Sequence, residues 1–294
     1  MLEPSNKHPE YMEELKKNNP AKDRKIDKDD NWYFKDSKYV SNSMLKIFQN
    51  GGIKNYDAYL NGELRVHSKA FDIGSAFHCL ILEPDFFHER FHVVDDTEIC
   101  IKASGADWKK KNKKPTMTTV YKKWYAEFVQ PIIDSGEYTV ISQDDMDLLE
   151  IMQSKLLAVK EIKSLLSACD EFEGIYSNEI DGVKTKCKVD GLKFDDFMID
   201  LKTTGGSVKD FISSSYKYDY DQQAAFYMDT VGVSRFIFIV VEKNYPYNVG
   251  VFTCGDSFIE RGRISYKNGL ADLNYYMTQP NFDVESFYFR DILV

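Results

Sequence analysis

Residues 186–204 read KCKVDGLKFDDFMIDLKTT, and the alternation of apolar and charged side chains in this stretch predicts two adjacent β-strands. On a strand, residues two apart share a face at a spacing of about 6.5–7 Å. Asp200 and Lys202 therefore share one face of the second strand with Met198, and Phe197, Ile199 and Leu201 point the other way, toward a core. An unpaired buried charge is costly, so two charged side chains on an apolar strand indicate a function or a specific pairing.

A hairpin precedes this stretch and brings further charges to the same face. Asp181-Gly182 is a strong two-residue turn signal, and it predicts pairing of Ile180 with Val183. The same register sets Glu173 opposite Asp190. Three carboxylates and several lysines then converge on one surface of the sheet. The lysines that share the Asp190 face are Lys184, Lys186 and Lys188.

Clustered carboxylates beside lysines have two interpretations that spacing alone does not separate. The first is a metal-dependent phosphodiesterase site, because Mg²⁺ is a hard cation that takes oxygen ligands. Such an ion polarises the scissile phosphate and lowers the pKa of a bound water, and a nearby lysine can orient that water and offset charge in the transition state. The second is an exposed hairpin whose acidic and basic side chains pair across the strands.

The rest of the chain indicates one α/β domain preceded by an arm. Residues 1–30 are polar and nearly aperiodic, which predicts a flexible or loosely docked segment. No repeat or linker divides residues 31–294, so we expect a single domain with a helical part over 39–168 and a catalytic core over 171–277. The periodicity predicts a capped helix from Ser41 to Gly51-Gly52, further helices over 71–82, 143–168, 219–230 and 256–277, and strands over 171–202, 235–242 and 247–253.

Composition argues against several classes of protein. The 294 residues are 43% hydrophobic, enough for a sizeable core, and no apolar run approaches the ~20 residues of a membrane helix, so we expect no membrane partner. The five cysteines are scattered without a CxxC pair, and the first residues lack a signal-peptide core, so we expect reduced thiols and a cytoplasmic protein. The net charge of −9 argues weakly against a polyanionic partner.

One segment reverses this charge balance. Residues 102–123 contain eight lysines against a single aspartate, Asp107, so the segment carries +7 and the remainder of the chain −16. The run is either a solvated charged face or a basic element that contacts DNA phosphates. The candidate DNA-binding lysines are Lys109, Lys110, Lys111, Lys113 and Lys114 in this segment, and Lys186 and Lys188 on the strand.

Five motifs occur in order along the chain: YVSNSML at 39–45, IGSAFHCLILEP at 73–84, KCKVD at 186–190, IDLKTT at 199–204 and YDQQAAFY at 220–227. Together they resemble the exodeoxyribonuclease VIII (RecE-like) family of phages and prophages, within the PD-(D/E)XK nuclease superfamily. The resemblance covers residues 39–230. The first carboxylate motif reads Lys188-Val189-Asp190 and lacks the proline of the general signature.

This resemblance implies a restriction-endonuclease-like α/β fold, with a mixed central sheet flanked by helices and a helical N-terminal region. It implies a Mg²⁺-dependent exonuclease, with Mn²⁺ as an expected substitute, that degrades one strand of linear double-stranded DNA in the 5′→3′ direction. The products would be 3′ single-stranded overhangs for recombination. It also implies a homo-oligomeric ring and a single-strand annealing protein as a functional partner.

The resemblance also assigns roles to individual residues. Lys202 would activate the attacking water, and Glu173 matches a carboxylate of the preceding strand. Gln223 and Tyr227 match a QxxxY motif and, being four residues apart, share a helix face that can reach the active site or DNA. Taken alone, Tyr227 and the histidine of the second motif are typical core residues as well. The implied metal ligands are His78, Asp190, Asp200 and the backbone carbonyl of Leu201.

Two alternative functions are compatible with the same residues. An endonuclease or a single-strand-specific nuclease can use the same core, because the fold and the metal ligands do not determine polarity or end specificity. A catalytically silent DNA-binding or regulatory protein is the alternative of another class. The intact set of Asp190, Asp200 and Lys202 argues against it, because binding alone does not need carboxylates beside phosphate.

Overall fold

The computed structural model describes residues 20–64, 69–110, 112–279 and 283–288, which form a mixed α/β fold. Helices dominate the first part, and two short strands pair in parallel within it: α1 (Pro20–Arg24), α2 (Asp30–Lys35), α3 (Asn42–Leu60), α4 (Lys69–Leu82), α5 (Phe87–Arg90), β1 (Phe91–Val94), α6 (Thr97–Ser104), α7 (Thr119–Trp124), α8 (Gln130–Ser135), β2 (Thr139–Ser142), α9 (Gln143–Ala158) and α10 (Lys160–Ala168). The second part contains the main sheet: β3 (Glu171–Ile180), β4 (Val183–Lys193), β5 (Phe197–Thr204), α11 (Phe211–Lys217), α12 (Tyr220–Val231), β6 (Arg235–Glu242), β7 (Val249–Thr253) and α13 (Asp256–Thr278).

The main sheet has five strands in the order β3-β4-β5-β6-β7. The neighbours β5 and β6 run parallel, and every other pair in this sheet is antiparallel. A parallel pair needs a crossover connection, and α11 and α12 supply it. The mixed central sheet flanked by helices that the sequence predicted is therefore confirmed.

Two hydrophobic cores lie on the two faces of this sheet, and β5 contributes to both. Ile199 and Leu201 pack with residues of α4 and α9 on one face. Met198, on the other face, packs with residues of α3, α12 and α13. Side chains alternate along a strand, so the face that receives Met198 also receives Asp200 and Lys202. The predicted placement of Phe197, Ile199 and Leu201 on one face of β5, and of Met198, Asp200 and Lys202 on the other, is confirmed.

The hairpin register is also confirmed. Asp181 and Gly182 have φ angles of 51° and 80°, as a turn with two left-handed residues requires, and Ile180 pairs with Val183. The pairs on either side of Glu173 and Asp190 follow the same register. Glu173 itself has a φ of 56°, a left-handed conformation that is uncommon for a residue with a side chain.

Three elements differ from the predictions. Gly52, with a φ of 69°, interrupts α3 where predicted, but helical structure continues to Leu60. The long helix predicted over 143–168 is two helices, α9 and α10, separated by Val159 in an extended conformation. Strands β1 and β2 were not predicted, because each has four residues with a single buried position and so no alternation to detect.

The described part of the predicted N-terminal arm is docked on β3. Ala21 is fully buried, the Ile26 N–H donates a hydrogen bond to the Ile175 carbonyl at 2.8 Å, and Lys25 forms an ion pair with Glu171 at 2.7 Å. Residues 1–19 of that arm lie outside the described residues. Of the helices in the described part of the chain, none has the length and apolar character needed to cross a membrane.

Candidate active site

Strands β4 and β5 bring their carboxylates together at the point where the two strands separate. Gly191 and Ile199 form the last backbone pair of this ladder, and Asp190 and Asp200 come next on the two strands. The Asp190 carboxylate accepts a hydrogen bond from the backbone N–H of Leu201 at 2.7 Å. The Asp190 side chain thus replaces a backbone hydrogen-bond partner on the neighbouring strand, and the Asp190 and Asp200 carboxylates lie close together.

Asp200 is almost fully buried and is held from two sides. Lys202 Nζ lies 2.5 Å from its Oδ2 atom, and Gln223 Nε2 donates a hydrogen bond to its Oδ1 atom at 2.6 Å. Burial raises the pKa of the Asp200 carboxyl to about 6, although the Lys202 charge opposes this change. Burial lowers the pKa of Lys202, but the charges of Asp200 and Asp190 outweigh burial, so the amine stays a cation.

His78 projects from α4 into the same site. Its Nδ1 atom lies 3.3 Å from Asp190 Oδ2, and its Nε2 atom lies 2.9 Å from the Leu201 carbonyl oxygen. Burial lowers the pKa of His78, but the interaction with the Asp190 carboxylate outweighs burial and raises the pKa to about 9. The ring is therefore protonated near neutral pH, donates a hydrogen bond from Nε2 to the Leu201 carbonyl and forms an ion pair with Asp190 through Nδ1.

Glu173 is the third carboxylate of the cluster. His78, Glu173 and Asp190 each offer one ligand atom, and these atoms lie within 4.8 Å of one another. Lys188 Nζ bridges Glu173 and Asp30, at 2.7 Å from an oxygen of each. Burial and the Asp190 charge raise the pKa of Glu173, whereas Lys188 lowers it. Glu173 is thus within reach of a shared ion and is at the same time a partner of Lys188.

These donors fit a hard divalent cation. Carboxylate and carbonyl oxygens are the ligands that Mg²⁺ prefers, and an imidazole nitrogen is compatible with Mn²⁺. The protonated His78 ring lies between Asp190 and the Leu201 carbonyl, two of the implied metal ligands. Its positive charge therefore neutralises the carboxylate at this position. A divalent ion can take over this neutralising role once the ring has lost its proton, because a metal ligand must be deprotonated.

We expect the His78 ring of the metal-free protein to titrate at about pH 9. The substitution Asp190→Asn removes the carboxylate that retains the proton but leaves the burial, so the pKa should fall to or below the ordinary value of about 6.5. NMR of the imidazole nitrogens across a pH series measures both values, and His78→Gln assigns the signal. A His78 pKa that Asp190→Asn leaves unchanged would contradict Asp190 as its cause.

The two residues of the QxxxY motif have different partners. Gln223 donates a hydrogen bond to Asp200, whereas Tyr227 lies near Tyr33 of α2, whose pKa it influences. The Tyr227 ring contacts Phe236 edge-on, with 6.4 Å between ring centroids, and lies against the core. In the described part of the chain no hydrogen bond joins Tyr227 to the carboxylates, so its contacts are those of a residue that packs against the core.

The structure does not support Lys186 as a DNA contact. Its side chain is 1% exposed, and Nζ donates to the backbone carbonyls of Tyr33 at 2.7 Å and Asp36 at 2.6 Å. Lys188, also predicted to bind DNA, is mostly buried between two carboxylates. The reason is the docked segment around α2, which covers the strand face on which both lysines lie. This face is therefore not the open hairpin surface of the alternative interpretation.

The lysine-rich segment lies on the surface and pairs locally. Lys109 forms an ion pair with Asp144 at 2.7 Å, and Lys110 pairs with Asp107 at 2.8 Å. Lys113 and Lys114 are exposed, and Lys111 lies outside the described residues. Between the described lysines of this segment and the clustered carboxylates, the structure has no hydrogen bond or ion pair.

Sequence reasoning missed two residues of the site. Asp30 forms an ion pair with Lys188, and the centroid of the Tyr220 ring lies 4.9 Å from Lys202 Nζ. Tyr220 had a detectable signal, since it is the first residue of the YDQQAAFY motif and of α12. Asp30 had none, because its contact depends on how the N-terminal segment folds back onto the sheet.

The five-stranded mixed sheet and the set of two aspartates and a lysine on β4 and β5 define a PD-(D/E)XK-like protein. Residues 41–285 match the model of the family described as PDDEXK-like domain of unknown function (DUF3799), and the chain belongs to that family. No curated protein matches this sequence.

One solved structure shows a similar fold. A protein from Eubacterium rectale described as a "putative exonuclease" is 16% identical, with 91% of this chain and 96% of that chain covered and a TM-score of 0.57. An alkaline exonuclease from Laribacter hongkongensis is also 16% identical, with 65% of this chain and 93% of that chain covered, but its TM-score of 0.26 is too low to support an argument. The first of these similarities agrees with the PD-(D/E)XK-like fold.

Proposed function

We propose that this protein is a divalent-metal-dependent exonuclease that degrades one strand of linear double-stranded DNA from its 5′ end and leaves 3′ overhangs for recombination. The observation that carries the proposal is the convergence of Asp190, Asp200 and Lys202 where β4 and β5 separate. The strand polarity, the preference for ends and the recombination role rest on the resemblance to RecE-like exonucleases.

The proposed ligands of the ion are Asp190, Asp200, the Leu201 carbonyl and the neutral form of His78, with Glu173 as a further candidate. Mg²⁺ is the expected ion, and Mn²⁺ is expected to substitute. When bound, the ion polarises the scissile phosphate and lowers the pKa of a water molecule. Gln223 orients the Asp200 carboxylate for metal binding through a 2.6 Å hydrogen bond.

Lys202 is proposed to act as a charged hydrogen-bond donor. Its neighbouring carboxylates raise its pKa, so the amine is an ammonium at neutral pH. An ammonium next to the phosphate positions the attacking water and offsets the negative charge that develops on the phosphate oxygens. The ring centroids of Tyr220 and Phe238 lie 4.9 Å and 5.9 Å from Nζ, so both rings stabilise this cation by cation–π interaction.

The same resemblance supports two proposals about partners. We propose that the protein assembles into a homo-oligomeric ring and that a single-strand annealing protein takes over its single-stranded product. Analytical ultracentrifugation of the purified chain tests the first, and co-purification with the annealing protein tests the second. A monomer at all concentrations would contradict the ring.

The proposed activity is tested with linear and nicked duplexes labelled at the 5′ or 3′ end and with an internally labelled closed circular duplex, each incubated with Mg²⁺ or with EDTA. We expect loss of the linear duplex from its 5′ ends with Mg²⁺, no loss with EDTA, and recovery when Mg²⁺ is restored. Cleavage of the circular duplex would favour the endonuclease alternative. Binding of DNA without hydrolysis under every condition would favour the silent DNA-binding alternative.

A further inference from the structure

An aromatic and cationic surface lies directly beside the proposed catalytic lysine. It is formed by the end of α11 and its two neighbours α3 and α13, and we call it the stacking surface. Its members are Lys46, Tyr216, Lys217, Tyr218 and Arg261.

Tyr218 is the residue of this surface that connects to the site. Its side chain is 50% exposed, and its ring centroid lies 5.9 Å from that of Tyr220. The Tyr220 ring in turn lies 4.9 Å from Lys202 Nζ. Together, the 5.9 Å and 4.9 Å contacts place the Tyr218 ring within about 11 Å of the catalytic amine, close enough for a nucleotide to contact both.

The charges around Tyr218 suit a phosphate backbone. Lys217 Nζ lies over the Tyr218 ring at 5.5 Å, and the Arg261 guanidinium lies over the Tyr216 ring at 4.5 Å. The two acidic groups nearby are both neutralised. Asp219 pairs with Lys46 at 3.3 Å, and the buried Asp221 pairs with Arg261 at 3.2 Å. The three cations of the stacking surface outnumber these two carboxylates by one, and Lys217, which pairs with neither, is the cation that suits a phosphate.

The backbone that carries Tyr218 is fixed before any ligand binds. Lys46 Nζ donates a hydrogen bond to the Tyr218 carbonyl at 2.6 Å. The next residue, Asp219, adopts a left-handed conformation with a φ of 51°, and it ends the turn between α11 and α12. An exposed ring on a fixed backbone loses little conformational freedom when it binds, which favours its use as a stacking platform.

We propose that Tyr218 stacks on an unpaired base of the DNA strand that is being hydrolysed and that Lys217 binds a phosphate next to it. This inference rests on the proposed function and names the form of DNA that the site accepts. A base can reach the ring only when it has left the duplex, so the contact selects frayed or unpaired ends. Stacking on an aromatic ring tolerates any base, because every base has a π-face.

The test uses Tyr218→Ala, Tyr218→Phe and the control Tyr275→Ala, with DNA hairpins that have one open end, either blunt or with unpaired terminal nucleotides. Tyr275 is also an exposed tyrosine, but it lies near the far end of α13. We expect Tyr218→Ala to lower kcat/KM roughly 5- to 150-fold, the worth of one base–aromatic stack. Tyr218→Phe and Tyr275→Ala should behave like the wild type, because they retain the ring at position 218.

A second measurement detects base stacking on Tyr218 in the absence of hydrolysis. A 2-aminopurine base at the open end should lose fluorescence when the wild type, Tyr218→Phe or Tyr275→Ala binds, and should keep it with Tyr218→Ala. An active wild type whose kcat/KM and fluorescence response are unchanged by Tyr218→Ala would overturn the inference. A wild type that hydrolyses no DNA would instead overturn the proposed function, and the fluorescence response would still decide the role of Tyr218.

Discussion

Replacing Lys202 by methionine is expected to slow DNA hydrolysis by about 10²- to 10⁴-fold at saturating Mg²⁺ and DNA. The methionine retains most of the side-chain volume but removes the ammonium that lies 2.5 Å from Asp200. Positioning of water and stabilisation of phosphate charge are both lost, so kcat falls more than the affinity for DNA. Single-turnover rates on a labelled linear duplex measure the effect.

Folding of this variant is a necessary control, because the change leaves a buried carboxylate without its cation. Burial already raises the pKa of Asp200 to about 6, so this carboxyl can take up a proton and avoid an isolated buried charge. Circular dichroism and a thermal melt establish that the variant is folded. The matched control is Lys155→Met, at an exposed position of α9, which should leave the rate unchanged. Hydrolysis at the wild-type rate by folded Lys202→Met would contradict the proposed role.

Replacing Gly262 by alanine is expected to lower the free energy of unfolding by at least about 3 kcal/mol. Helix α13 crosses α12 at this glycine, and an added Cβ atom would lie 2.0 Å from the Asp221 carbonyl oxygen and 2.8 Å from the Gln222 amide nitrogen. Both contacts are with backbone atoms, which cannot rotate away as a flexible side chain does. The two helices must therefore move apart, and chemical denaturation measures the cost.

The same substitution should also reduce activity in whatever fraction stays folded. Gln223, which holds Asp200, follows the contact on α12 directly, so a shift of this helix moves an active-site group. The matched control is Gly255→Ala just before α13, where an added Cβ meets no atom within 4 Å and φ is −87°. That change should cost at most about 1 kcal/mol, because alanine is a poorer N-cap residue than glycine but restricts the unfolded chain. Equal stability of the two variants would contradict the tight crossing.

The sequence predicted the central part of the site well because the rules involved are local. Alternation along β5 placed Asp200 and Lys202 on one face, and the Asp181-Gly182 turn set the register that aligns Glu173 with Asp190. Both rules need only neighbouring residues. The break of α3 at Gly52 was predicted for the same reason, since a left-handed φ favours glycine.

Other features of the site and the fold could not be predicted from neighbouring residues in the sequence. Lys186 was expected to face DNA because it shares the strand face of Lys188 and Asp190, opposite the apolar residues, yet it lies under a segment that begins about 150 residues earlier in the chain. The interruption at Val159 was missed because the apolar spacing runs through it, and only packing separates α9 from α10. Tyr227 shares a helix face with Gln223, but its ring packs against Phe236 and the core, which no spacing rule indicates.

The residues by themselves therefore determined the register of the β3–β4 hairpin and the strand face that Asp200 and Lys202 share, because period-two alternation and turn chemistry act over a few residues. The family resemblance supplied the mixed central sheet and the roles expected of the clustered residues. Tertiary structure alone decided which of those charges stay accessible. The docked α2 region buries Lys186 and pairs Lys188, and α4 brings His78 to Asp190. These contacts join residues more than 100 positions apart, and their energies depend on burial, which exists only in the folded chain.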